Sequence, residues 1–193
     1  RKDLPFLAPH FVEAVLAKHP AQYVTTTLDL NLQTLLERNT RSYIESRKSL
    51  GISNACVLLV DYRDMSVKAM LGSADYHNDA IHGQVNGTAA LRSPGSALKP
   101  FIYALAMEQG LIHPNSMLKD TQSSYGAYNP ENFDHEFAGP VSATEALIHS
   151  RNVPAVRIAS QLAQPDLYDF LKQANVNLPQ DKDHYGLSLV LGG

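Results

Sequence analysis

The chain has 193 residues, 44% of them hydrophobic and 18% charged, which is enough for one cored domain or a large part of a bigger one. Its net charge of -3 and pI near 6.2, with no basic run or array of stacking aromatics, exclude an electrostatic case for nucleic acid. No apolar run approaches the ~20 residues needed to span a bilayer, and the N-terminus lacks the order of a signal peptide.

Residues 1–21 carry Pro5, Pro9 and Pro20 around a short helical pattern from Phe11 to Lys18, and read as a junction. Tyr23-Val24-Thr25-Thr26-Thr27 has β-branched character and predicts a strand. Asp29 then suits the cap of a helix running toward Gly51, whose apolar positions Leu32, Leu35, Leu36 and Tyr43 should cover a sheet. That sheet begins with a β-hairpin. Its first strand lies in the apolar run Ala55 to Val60, expected to be buried on both faces with Cys56 as a small core residue, and its second is Ser66 to Leu71.

Gly72 to Arg92 is polar and turn-rich, and its His77 and His82 lack the spacing of a metal site, as do His135, His149 and the other scattered histidines. The next stretch, Arg92-Ser93-Pro94-Gly95-Ser96-Ala97-Leu98-Lys99-Pro100, leads into the apolar run Phe101 to Gly110. A helix here would be apolar nearly all round and therefore buried, with Ser96 and Lys99 on one face at i and i+3 near its positive end. A nucleophile and its base could sit there. A plain helix cap also fits Ser-x-x-Lys, and Ser116 to Lys119 repeats the pattern without the Pro-Gly lead or the apolar helix. Pro100 lacks an amide proton, which favours a helix start near Ser96 or Ala97.

Leu111 to Ala138 is too broken for helix and lacks strand alternation. Ser142-Ala143-Thr144-Glu145 fits a capping box opening a helix through Ile148. Ser150-Arg151-Asn152-Val153-Pro154 follows, with Pro154 in the first turn of a further helix, and another helix follows Pro165. Taken alone, Ser150-x-Asn152 suits a cap for the helix begun by Pro154. Strands early and helices later predict an α+β fold, a hairpin from an incomplete antiparallel sheet with a helical lobe.

Ser96-x-x-Lys99 behind Pro94-Gly95, Ser150-x-Asn152 before Val153-Pro154, and the upstream hairpin together resemble the transpeptidase domain of penicillin-binding proteins, a serine β-lactamase-like fold. Three further segments are similar to the bifunctional class A enzymes, most of all to the 1C type: Tyr23 to Asp29, Tyr128 to Pro140, and Gly186 to Gly193. The resemblance covers residues 22–193, as the N-terminal portion of that domain. The family's third motif, Lys-Thr-Gly, is absent, so the resemblance implies a truncated piece that would not be a competent enzyme alone.

The resemblance implies that Ser96 attacks the D-Ala-D-Ala bond of a peptidoglycan stem peptide or a β-lactam, forming an acyl-enzyme. Lys99 would be its base, Ser150 a proton relay, Asn152 a contact to the substrate backbone, and the Ser96 amide one oxyanion donor. It implies no cofactor and no metal. It also implies a parent chain on the periplasmic side of the inner membrane, anchored there, carrying a glycosyltransferase domain and working with other cell-wall synthesis proteins. A D,D-carboxypeptidase or β-lactamase-like hydrolase, or a non-catalytic penicillin-sensing domain, stands as the alternative.

Overall fold

A computed structural model describes residues 6–193, so Pro5 and the rest of the first five residues of the expected junction lie outside the described residues. The chain forms two compact units that divide between Leu91 and Arg92.

In the first unit, α1 (Pro9–Lys18) packs on the hairpin through buried His10 and Phe11. The His10 ring takes a hydrogen bond from the Gly72 amide at 3.3 Å through Nδ1, and its Nε2 bonds the Gly83 carbonyl at 2.8 Å. Helix α2 (Leu30–Arg47) starts where Asp29 Oδ1 accepts from the amides of Asn31 and Leu32 at 2.8 and 3.1 Å, as its cap role predicts. The hairpin comprises β1 (Val57–Asp61) and β2 (Ser66–Leu71), antiparallel, with a bulge between Leu59 and Val60.

Three expectations fail in this unit. Residues 23–27 do not form a strand; among the described residues the segment 23–29 bonds β2 through the Asp29 amide on Lys68 O (2.9 Å) and Thr27 Oγ1 on Val67 O (2.7 Å). Among the described residues β1 pairs with β2 alone, so Leu58 and Leu59 are exposed and Cys56 is an exposed thiol, not a core residue. The inward face of α2 is only in part the expected apolar stripe: Leu32 and Leu36 are half-buried, but Leu35 and Tyr43 are exposed while Gln33 and Thr40 are buried.

The reason is a polar lock. The Gln33 side-chain amide donates to Met70 O at 3.0 Å and accepts from Met70 N at 2.9 Å, standing in for a neighbouring strand along the edge of β2. Gln33 must therefore face the sheet, and its rotation around α2 turns Leu35 and Tyr43 outward.

The second unit is built around α3 (Lys99–Glu108), entered through a 3-10 turn at Gly95–Leu98. Pro100 sits in the first turn of α3, where its missing amide proton costs no helical bond, as the later start requires. The expectation of a helix buried all round is corrected by a helical rhythm. Ile102, Tyr103, Leu105 and Ala106 are buried, while Phe101, Ala104 and Met107 face out.

The 111–138 segment does contain a strand, β3 (Met117–Asp120), which pairs antiparallel with β4 (Gly139–Ser142). Four residues of strand, with only Leu118 and Asp120 buried, are too short for a period-two pattern to register. Ser142 then caps α4 (Ala143–Ile148), its Oγ accepting from the Glu145 amide at 3.2 Å and donating to Glu145 Oε2 at 2.9 Å. Helices α5 (Asn152–Ala159), α6 (Leu167–Gln173) and α7 (Lys182–Tyr185) complete the unit. Val156, Leu171 and Val190 join Ile102 in one core. The architecture is α+β, as expected: small antiparallel sheets with a helical lobe.

We expect Gln33→Ala to leave both Met70 backbone groups without their partner, a loss of about 1–3 kcal/mol. Hydrogen-exchange mass spectrometry should show peptides covering residues 66–71 exchanging roughly tenfold faster or more; unchanged exchange would show that the edge of β2 is held by something else.

Candidate active site

Gly95 opens the 3-10 turn with φ 53, a backbone shape that suits glycine, and the chain then turns through Ser96. Ser96 is exposed. Among the described residues its hydroxyl and its amide make no hydrogen bond, while its carbonyl accepts from the Lys99 amide. An unbonded amide is what the first turn of a helix leaves. The turn is braced from the C-terminal end, where Ser93 Oγ donates to Gly192 O at 2.9 Å. Gly192 has φ 97, and a Cβ there would come within 2.2 Å of Ser93 Oγ and 2.6 Å of Gly95 N. Only glycine lets the chain approach this turn so closely.

One helical turn on, Lys99 is the opposite of exposed: 1% of its surface reaches solvent. Its ammonium donates to Ser150 O at 2.5 Å, Ser150 Oγ at 3.0 Å and Asn152 Oδ1 at 2.6 Å. Three donors meet three acceptors, all from one tight segment between α4 and α5. Burial, reinforced by the Arg151 charge, lowers the Lys99 pKa to about 8. Roughly a tenth of the lysine is then neutral near pH 7, against well under one in a thousand for a free side chain.

The acceptors are positioned by an unusual backbone. Ser150 has φ 52, in the left-handed region that non-glycine residues rarely adopt, and this turns its carbonyl and hydroxyl together onto Lys99. Asn152 does not cap α5 with its side chain. The Asn132 Oδ1 does so instead, accepting from the amides of Asn152 (2.8 Å) and Val153 (3.3 Å). The Asn152 amide is left free to accept from Lys99 and to donate through Nδ2 to Glu131 O at 2.8 Å.

Ser96, Lys99, Ser150 and Asn152 therefore all belong to the second unit, and the last three are in direct contact. Ser116 and Lys119, the discarded repeat of the pattern, have local roles: Ser116 Oγ accepts from the His113 amide at 2.8 Å, and Lys119 is an exposed residue of β3. What sequence reasoning missed is the layer beneath: Asp120, Asn132, Arg151 and Tyr103. Asn132 and Arg151 lay inside segments already singled out by resemblance, but nothing around Asp120 marks it. Tyr103, one turn along α3 from Lys99, buries its hydroxyl without a partner among the described residues, and burial followed by the Asp120 charge raises its pKa.

A cavity of about 200 Å³ adjoins the Asn152 side, lined by Ser123, Asn129, Glu131, His135 and Phe137 among others. A larger one of about 410 Å³ is lined by α5, α6 and residues 182–190 and contains none of the four site residues. Neither cavity is lined by Ser96, Lys99, Ser150 or Asn152; the smaller is tied to the site only through Glu131, whose carbonyl accepts from Asn152.

Against known proteins, residues 55–193 match the model of the penicillin binding protein transpeptidase domain. The chain belongs to the penicillin-binding protein transpeptidase family. It is 40% identical over its whole length to penicillin-binding protein 1C of Escherichia coli, of which it spans 25%. It is 33% identical over 70% of its length to penicillin-binding protein 1F of Bacillus subtilis, spanning 18% of that protein. The chain thus spans about a quarter or less of these relatives. In fold it resembles the penicillin-binding protein PonA1 from Mycobacterium tuberculosis in complex with penicillin V, at a TM-score of 0.73 and 20% identity, over 97% of this chain and 55% of that one.

Competitive acetylation of the intact protein, read by mass spectrometry across pH, should place the Lys99 midpoint near 8, where an ordinary lysine lies at 10.5. A Lys99 midpoint at the ordinary value would overturn the account of its burial.

Proposed function

We propose that this chain supplies the nucleophile half of a serine-type peptidoglycan D,D-transpeptidase. The observation that carries the reading is the buried Lys99 ammonium, held by Ser150 and Asn152 one helical turn from an exposed, unbonded Ser96 hydroxyl. Membership of the transpeptidase family supports it.

Neutral Lys99 takes the Ser96 proton as Ser96 Oγ attacks the carbonyl between the two terminal D-alanines of a stem peptide. The Ser96 amide donates to the oxyanion of the tetrahedral intermediate. The carbon–nitrogen bond breaks, the proton passes from Lys99 through Ser150 to the departing nitrogen, and free D-alanine leaves an acyl-Ser96 ester. Asn152 meets the substrate backbone. An amine from a neighbouring stem then attacks the ester, gives up a proton along the same route, and restores Ser96. A β-lactam enters the first half of this cycle, its ring amide taking the place of the scissile bond.

Residues 22–193 form the N-terminal portion of the domain in this reading, and strands outside this sequence bring the carboxylate anchor and second oxyanion donor. The whole protein acts on the periplasmic side of the inner membrane, anchored and joined to a glycosyltransferase domain, alongside other cell-wall synthesis proteins. Relatives of which this chain spans 25% and 18% support a longer parent chain.

Fluorescent penicillin should label the intact protein, and Ser96→Ala should abolish the label. The labelling rate should rise with pH through about 8, because the reactive form is the one in which Lys99 has lost its proton. Labelling that survives Ser96→Ala would overturn the assignment of the nucleophile. Release of acyl groups to water in preference to stem amines would favour the hydrolytic reading.

A further inference from the structure

Beneath the Ser150–Asn152 turn lies a polar network that touches none of the reacting atoms. Asp120, at the end of β3 and fully buried, accepts from Asn132 Nδ2 at 2.7 Å through Oδ1, and through Oδ2 from Arg151 Nε at 2.7 Å and the Ala138 amide at 3.0 Å. Arg151 extends its fork to Asp134 Oδ2 at 2.6 Å and Glu136 O at 2.5 Å. The Asn132 amide is used at all four of its positions: Nδ2 reaches Asp120 and Glu136 O, and Oδ1 holds the amides of Asn152 and Val153.

We propose that Asp120, Asn132 and Arg151 are positioning residues, which lock the 150–152 turn into its left-handed shape and so aim Ser150 and Asn152 at Lys99. This rests on the transpeptidase reading of the site. The argument is one of strain and restraint. A left-handed serine is strained and persists only where its surroundings over-determine it. Here the neighbours on its C-terminal side are held by five bonds: three from the Arg151 side chain and two to the amides at 152 and 153. A guanidinium fork with fixed directions suits that task, and a lysine would not replace it.

The network also sets the charge around Lys99. Arg151 from the turn acts on it directly; Asp120 from β3 and Asp134 from the following loop face Arg151, Glu131 in that loop pairs with His135, and Tyr103 on α3 is raised and neutral. Burial penalises the cation, and the Arg151 charge adds to that penalty.

The test uses the intact protein with three variants: Arg151→Lys, which keeps charge without the fork; Arg151→Met, which keeps neither; and Asp134→Ala, which removes one contact at a half-exposed carboxylate and leaves the buried pair intact. Thermal unfolding reports folding, stopped-flow acylation by fluorescent penicillin reports the rate constant separately from binding, and competitive acetylation reports the Lys99 midpoint without any reference to activity. We expect acylation to fall roughly tenfold or more in Arg151→Lys with the Lys99 midpoint near its original place, and further in Arg151→Met with the midpoint raised by about half a unit to one unit. Asp134→Ala should fold and lose a few-fold in rate.

Acylation rates and Lys99 midpoints unchanged in all three would overturn the inference. A drop in folded protein with no change in rate constant or midpoint per folded molecule would also overturn it, reducing the network to a structural support. If the unaltered protein takes no label, the transpeptidase reading fails, and the acetylation midpoints still decide whether the network acts on Lys99.

Discussion

The second unit depends on one buried cation. An ammonium withdrawn from water must recover its hydration from the protein, and Lys99 does so through three acceptors contributed by two residues of a single turn. That requirement fixes the approach of the α4–α5 turn to the start of α3, and with it the neighbourhood of Ser96. The same burial that must be compensated also lowers the affinity of Lys99 for its proton. The need for three acceptors and the lowered proton affinity thus share a cause.

Around this point the elements divide the work. The 3-10 turn at Gly95–Leu98 leaves the Ser96 amide and hydroxyl unengaged and gives Lys99 to the α-helix proper. The C-terminal turn ending at Gly192 braces the Ser93–Gly95 backbone at a distance that a Cβ would not allow. On the other side, β3 brings Asp120 beneath Arg151, so a strand of four residues anchors the segment that holds the lysine. The apolar core of Ile102, Val156 and Val190 keeps these parts in one body.

The first unit solves a different problem with the same chemistry. A two-stranded hairpin leaves backbone groups unpaired along its edge, and here two side chains and one backbone amide cover them: Thr27 and Gln33 bond Val67 and Met70, and the Asp29 amide bonds Lys68. A polar residue on the buried face of a helix is usually read as an error in an amphipathic pattern. At Gln33 it is the contact that sets which face of α2 turns inward.

Local signals carried far in this chain. Asp29 and Ser142 as caps, Pro100 in a first turn, the second strand at Ser66–Leu71 and the placing of Ser96 and Lys99 on one helix start all follow from short-range chemistry that is written in neighbouring residues. What those signals could not carry was anything decided by a partner distant in the chain. Whether Asn152 capped its own helix depended on Asn132, twenty positions earlier, taking that role. The exposure of Cys56 and Leu58 depended on what pairs with β1, and the rotation of α2 on the edge of β2. Asp120 carries no mark at all in its neighbours. By itself the sequence determined the α+β order of elements and set Ser96, Lys99, Ser150 and Asn152 apart as candidates; the tertiary structure alone decided which of them meet, because a buried charge or amide chooses its partners by distance in space, not along the chain.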